Sequence, residues 1–335
     1  MSPRVLISIV TWNSAPHLKE CLESLTAQTC RDYALCLWDN ASADNSAALA
    51  QEFSGSEASI HCSGRNIGFC AAHNRVIASH PGDYVLVLNP DVVLDPSFLA
   101  VLVQAMDQHP AAGSATGKLW RWEKDTPPAS AGRILDTTGI YFTPNQRHLD
   151  RGSGEPDQGQ YETPQYVFGA SGAAAFYRRS MLEDVRMGAE YFDEMFFAYR
   201  EDADLAWRAQ WLGWSCLYVP EARGFHVRRV LPERRSQLPS AINMHSFKNR
   251  FLLRLNNMDS ATYARFLLPI TLRDAAAFGY VLLREPASLR ALPLICKAIP
   301  HAWRRRKHLQ KRRRITPYEM RSWFANHPVA KPIPN

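Results

Sequence analysis

No apolar run in the 335 residues approaches the roughly 20 that span a bilayer. The longest in the tail, 266–272 and 275–283, are separated by Arg273-Asp274. The first residues show no basic segment followed by an apolar core and a cleavage site, so no signal peptide is expected. The seven cysteines are odd in number and form no C-x-x-C pair, which argues against a disulfide framework or structural zinc site and fits a reducing compartment. Neither G-x-G-x-x-G after the first strand nor G-x-x-x-x-G-K-[ST] occurs, which argues against dinucleotide oxidoreductases and P-loop NTPases. There is no internal repeat. What remains is a soluble or peripheral protein, and its 46% apolar content and nine Trp exclude disorder.

The charge is unevenly placed. A net +7 overall divides into −10 over residues 1–220 and +17 over 221–335. Eight cations fall in the run Arg304 to Arg314, with no acid among them. A solvated helix face is the ordinary fate of such a run. Eight like charges also ask for an anion, either nucleic acid or an anionic lipid surface. Apolar segments too short to span lie just upstream, with Trp303 at the junction, and that combination suits an interfacial anchor.

The first 120 residues alternate strand-like and helix-like patterns. Strands are expected at Arg4–Val10, Ala34–Trp38, Ala58–Cys62 and Tyr84–Leu88, and helices over 15–28, 44–53, 68–79 and 96–108. Such alternation predicts an α/β fold, with a mainly parallel central sheet flanked by helices. Glu123–Pro164 reads as irregular loops with a mobile lid, Tyr166–Arg178 as a strand pair, and 203–212 as a helix. Beyond Pro239 the pattern is helical at 241–257, 261–272 and 275–284, followed by the basic run. The expected organisation is a catalytic domain over 1–240 and a helical, basic extension over 241–335.

In a parallel α/β sheet, ligands sit at the carboxyl ends of the strands. Polar clusters follow all four expected strands: Thr11-Trp12-Asn13, Asp39-Asn40-Ala41-Ser42, Arg65-Asn66-Ile67-Gly68 and Asn89-Pro90-Asp91. Any one of them is ordinary turn and cap chemistry. Four on one edge make a site, and Asp91 is the natural carboxylate for Mg2+ or Mn2+. A second acidic cluster, Glu201-Asp202-Ala203-Asp204, precedes the helix at 205–212. Capping accounts for one of its carboxylates, and mutual repulsion is expected to raise the pKa of another towards a general base's working range.

The strings VTWN (10–13), DNASADNS (39–46), RNIGFCAAHN (65–74), NPDV (89–92), FGASGAAAFYRR (168–179) and FDEMFFAYREDADLAWR (192–208), with His226, run in an order similar to that of inverting family 2 glycosyltransferases. The chain resembles the rhamnosyltransferase-like branch most, over about residues 4–257. The resemblance implies the GT-A nucleotide-diphospho-sugar transferase fold. It implies that Thr11, Asn13, Asp39, Asn66, Asn74, Asn89 and Asp91 serve the nucleotide-sugar, with Asp39 on the base. It further implies that Asp91 and His226 hold the metal, that Asp202 with Glu201 beside it is the catalytic base, and that Gly169, Gly172 and Trp207 lie on the acceptor side. Asn89 replaces the first Asp of the family's Asp-x-Asp, Trp12 stands where Tyr is common, and Cys70 where a small residue is usual.

The expected partners are a dTDP- or UDP-sugar donor, a glycan or lipid-linked acceptor, and an anionic membrane reached through 304–314. The expected location is the cytoplasm, on the inner face of the plasma membrane. Two other readings stay open. A sugar-phosphate nucleotidyltransferase shares such a core, but its G-x-G-T-R-L opening is absent. A non-enzymatic lipid- or nucleic-acid-binding protein leaves the acidic edge unexplained, and nucleic acid is the weaker partner.

Overall fold

The computed structural model describes residues 3–54, 58–122, 133–228 and 238–333. Strands β1 (Val5–Thr11), β2 (Tyr33–Asp39), β3 (Ala58–Cys62) and β4 (Tyr84–Leu88) alternate with helices α1 (Ala15–Thr26), α2 (Ser46–Ser54) and α3 (Phe69–Ser79). All four strands are parallel, with β1 between β2 and β4 and β3 outside β2. Every residue of β1 and β4 is buried. Helices cover both faces there, which is why VLISIVT and YVLVL show no polar alternation.

β5 (Val92–Leu94), α4 (Phe98–Gln108) and β6 (Ala112–Arg121) follow. β6 has no counterpart among the expected strands. Its sequence AGSATGKLWR is small rather than apolar because its neighbours press close: a Cβ on Gly117 would lie 2.2 Å from the Ala222 carbonyl oxygen. The chain continues through β7 (Leu135–Thr137), β8 (Ile140–Phe142), β9 (His148–Asp150), β10 (Gln165–Val167), β11 (Ala174–Arg178), α5 (Arg179–Val185), α6 (Glu201–Trp211) and β12 (Ser215–His226). It closes with α7 (Ser240–Asn257), α8 (Ser260–Arg265), α9 (Leu267–Arg284), α10 (Ala291–Arg312) and α11 (Pro317–Arg321).

The main sheet has the order β10-β12-β6-β11-β4-β1-β2-β3, with β5 on β12 and β7 on β6. β11 runs against both β4 and β6, and β6 is parallel to β12. The carboxyl ends of β1, β2, β3, β4, β6 and β12 therefore emerge on one edge, and β11 begins there.

Four expectations need correction. The stretch expected as irregular, of which residues 123–132 lie outside the described residues, contains β7 to β9. These strands have three residues each, too few to leave a periodic signal. The expected strand pair over 166–178 is two strands, but β10 joins β12 while β11 joins β4 and β6. Arg273-Asp274 does not mark a break between helices. Both residues lie within α9 and turn inward, Arg273 onto the Asn145 and Gln146 carbonyls and Asp274 onto Arg254.

The fourth correction concerns the basic run, which is not a set of eight free cations. Arg305 is buried between Glu190 (2.9 Å) and Asp193 (3.2 Å), while Arg312 and Arg314 bind Asp184 at 2.7 and 2.8 Å. Arg304, Lys307, Lys311, Arg313 and, despite its pair with Asp184, Arg314 remain exposed.

The C-terminal helices share the main core: Leu252, Leu253, Ile270, Ala298, Leu309, Met320 and Phe324 join one cluster with Val85, Val87 and Trp207. Among the described residues no helix is long and apolar enough to cross a membrane.

Candidate active site

At the end of β1, the Thr11 hydroxyl donates to Asp39 Oδ1 (2.8 Å), and the buried Asp39 also accepts from the Ser42 backbone N–H at 3.0 Å and from the Ser42 hydroxyl. Asn13 stands at φ 52°, donates its N–H to Ser42 Oγ (3.0 Å) and accepts from Ala43 N–H (2.8 Å). Asn tolerates this left-handed conformation better than most side chains, so Thr11, Asn13 and Asp39 set one fixed loop. Asn66 accepts from Gly68 N–H at 2.9 Å, and the loop it shapes seats Gly68 against Phe197. A Cβ on Gly68 would meet the Phe197 ring at 2.6 Å, and φ is 87°, so only glycine fits.

Asp91, after β4, and His226, ending β12, converge: Nε2 of His226 lies 3.4 Å from Asp91 Oδ1. The other ring nitrogen bonds Asp136 Oδ2 at 2.7 Å, and Asp136 is held in turn by Arg228 at 3.0 Å. Arg228 also binds Asp150 of β9. Burial pulls the His226 pKa down, but Asp91 and Asp136 outweigh it and raise it to about 10. Between these carboxylates the imidazole holds a proton, whose place a divalent cation would take. An oxygen donor and an imidazole whose far nitrogen is fixed by a carboxylate form a donor set suited to Mn2+ or Mg2+. Asp91 keeps 14% of its side-chain surface open, so a substrate oxygen can reach it.

The neighbouring Asn89 donates its N–H to the Ala173 carbonyl at 2.9 Å, and Gly172 N–H donates to Asp202 Oδ2 at 2.9 Å. A Cβ on Gly172 would sit 3.3 Å from that oxygen. The start of β11 thus couples the Asp91 side of the edge to Asp202. The second oxygen of Asp202 accepts from Ala203 N–H at 2.7 Å.

The three carboxylates of the second cluster separate by environment. Asp204 is buried and paired with Arg208 (2.9 Å), Asn256 (3.1 Å) and Asn257 (2.7 Å), a structural joint between α6 and α7. Glu201 is buried, and Oε2 has no hydrogen-bond partner among the described residues. Burial and the Asp202 charge push its pKa up to about 8. The raised pKa expected in this cluster therefore belongs to Glu201.

Three further residues fall elsewhere than expected. Trp207 is fully buried and packs on Phe142 and Phe324, so it cannot touch an acceptor. Gly169 is a packing glycine, since a Cβ there would lie 2.3 Å from Ala206 Cβ. Asn74 uses its full complement of hydrogen bonds on Tyr191, Phe192 and Glu194, which leaves none for a nucleotide-sugar.

Sequence reasoning missed Asn249. Phe197, Tyr199 and Arg200, just before Glu201, stand at φ 68°, 73° and 71°. Such conformations cost of order 1–3 kcal/mol each and persist only where the surroundings enforce them. Asn249 of α7 supplies that constraint, donating to the Phe196, Ala198 and Tyr199 carbonyls at 3.0, 2.8 and 2.7 Å. No local pattern distinguishes it from any other helical Asn. Asp136 was missed for the same reason.

This edge is that of a sugar transferase. Residues 6–186 match the model of glycosyl transferase family 2, and the chain belongs to that family. It is 31% identical over 243 residues to the N-acetylglucosaminyl-diphospho-decaprenol L-rhamnosyltransferase of Mycobacterium tuberculosis, a match covering 65% of this chain and 74% of the relative. The fold is shared with the mannosyltransferase PcManGT of Pyrobaculum calidifontis in complex with GDP-Man and Mn2+ (TM-score 0.53, 17% identity, 90% of this chain and 75% of that one). It is also shared with S. aureus TarS 1–349 in complex with UDP-GlcNAc (TM-score 0.56, 16% identity, 92% and 83%). The protein is a GT-A glycosyltransferase.

Glu201 carries a pH signature. Its folded pKa lies above the unfolded value, so between about pH 4.5 and 8 the unfolded chain ionises first and stability falls as pH rises. Glu201→Gln removes that slope. Thermal unfolding should show the variant gaining on the wild type as pH rises through this window; a difference independent of pH would contradict the assignment.

Proposed function

We propose that the protein transfers a sugar, with inversion, from a nucleotide-diphosphate donor to a hydroxyl of a glycan or lipid-linked glycan acceptor. The observation that carries this reading is the bonded path from Asp202 through Gly172, Ala173 and Asn89 to the Asp91–His226 pair. Residues 1–240 supply the donor loops and the base, and residues 241–335 brace them and carry the membrane-facing surface. Thr11, Asn13, Asp39 and Asn66 shape the loops that take the nucleotide. Asp91 and His226 are the residues that would hold Mg2+ or Mn2+, which supplies positive charge to the donor diphosphate.

Asp202 takes the proton of the attacking hydroxyl. Its two oxygens are oriented by Gly172 and Ala203 before the acceptor arrives, so little reorganisation is needed. Glu201, neutral at pH 7, adds no second negative charge beside it. Attack comes from the face opposite the leaving nucleotide, and the anomeric centre inverts. Similarity to the mycobacterial rhamnosyltransferase supports dTDP-L-rhamnose as donor and a diphosphate-linked lipid as acceptor carrier; a UDP-sugar is the second candidate.

This reading sets the enzyme in the cytoplasm, on the inner face of the plasma membrane. Leu268, Leu272, Leu282 and Leu283 on α9 are 63–79% exposed, Trp303 is 59% exposed, and five cations of the 304–314 run are exposed. An apolar face beside cations suits an anionic lipid surface.

Asp202→Asn should lower sugar transfer by about 10²- to 10⁴-fold, with donor affinity nearly unchanged. Nucleotide release and donor titration measure the two, and near-normal turnover would remove Asp202 from the base role. In co-sedimentation, the protein should pellet with phosphatidylglycerol vesicles and much less with neutral ones. Equal binding to both would contradict the membrane reading.

A further inference from the structure

Arginines from four separate segments gather beside Asp202. Arg200 directly precedes Glu201 and Asp202. Arg250 and Arg254 sit one turn apart on α7, where the adjacent Asn249 grips the Ala198 and Tyr199 carbonyls and so docks this helix on the backbone that leads into Arg200. Arg273 of α9 donates to the carbonyls of Asn145 (3.2 Å) and Gln146 (2.9 Å), at the turn that carries Arg147. Arg254 bonds Asp274, next to Arg273, at 2.6 Å. His148, which follows Arg147, is close enough to feel the charges of both Asp202 and Arg200.

These cations strain one another. Burial lowers the Arg273 pKa to about 9, reinforced by repulsion from Arg250, Arg200, Arg254 and Arg147. A guanidinium in water stays charged far above that. Arg254 is 9% exposed, and its NH1 has no hydrogen-bond partner among the described residues. A buried donor without an acceptor is costly. Planar guanidinium forks match phosphate oxygens, so a phosphate relieves both the repulsion and the unmet donor. The helix also indicates what carries it, because α9 exposes Leu272 beside Arg273 and Leu268 one turn earlier. Exposed leucines on the helix that carries Arg273 suit a phosphorylated amphiphile.

We propose that Arg147, Arg200, Arg250, Arg254 and Arg273 bind the phosphate of a lipid-linked acceptor, at a site separate from the edge that takes the donor diphosphate. The inference rests on the reading of Asp202 as the base facing the acceptor, and it adds the means by which the acceptor's anchor is held.

The test is calorimetric binding of farnesyl diphosphate, farnesol and inorganic pyrophosphate to the full chain, with saturating dTDP or UDP and Mn2+ occupying the donor site. Farnesyl diphosphate should bind saturably and more tightly than either fragment. Arg147→Gln, at an exposed turn position, and Arg273→Gln should each weaken it by about tenfold, Arg273→Lys by less, and none should change nucleotide affinity. Displacement by nucleotide, pyrophosphate binding as tightly, or affinity unchanged in the variants would each overturn the proposal. Failure of the glycosyltransfer reading is a separate result: no wild-type turnover of any nucleotide-sugar.

Discussion

Carboxylates crowded at one sheet edge and under the helices beside it must each find a cation, a proton or a full set of hydrogen bonds, and that requirement shapes the rest of the molecule. Asp136 is answered by His226 and Arg228, Asp204 by Arg208, Asn256 and Asn257, and Asp193 by His301 and Arg305. Glu201 is answered by a proton. Most of these partners come from beyond residue 220, and Arg223, Arg228, Arg305, Arg312 and Arg314 pair with acids of the front, so part of the split of −10 and +17 is a folding arrangement. Buried charges left single are strongly destabilising. Asp91 and Asp202 differ in that each keeps an open side towards the edge, and these two carry the proposed chemistry.

The C-terminal helices therefore belong to the site. Asn249 holds three left-handed residues in place immediately before Glu201, and α10 is tied to the 190–193 segment through His301 and Arg305. Loosening these helices would release the backbone that sets Asp202. The same packing explains why Arg305 is turned inward while most of the basic run stays at the surface.

The parallel core was legible because β1 and β4 are continuous apolar runs, and the edge was legible because polar clusters followed each strand. β6 was hidden by its small residues, and β7 to β9 by their brevity. Within the site, chain order alone could not separate roles among adjacent residues. Gly172 faces Asp202 while Gly169 packs on Ala206; Asp202 is reachable while Asp204 is a buried joint. Asn74 and Trp207 belong to the same motifs, yet both serve packing. Motif residues hold the site together as often as they act in it, and only burial and hydrogen bonding tell the two apart.

The central claim is that the acidic edge becomes a diphosphate site through Asp91 and His226. Electron paramagnetic resonance of Mn2+ titrated into the protein with dTDP or UDP tests it most directly. The account predicts that nucleotide and ion bind together and that Asp91→Asn loses the bound-ion signal while unfolding normally. An unchanged signal in Asp91→Asn would contradict it.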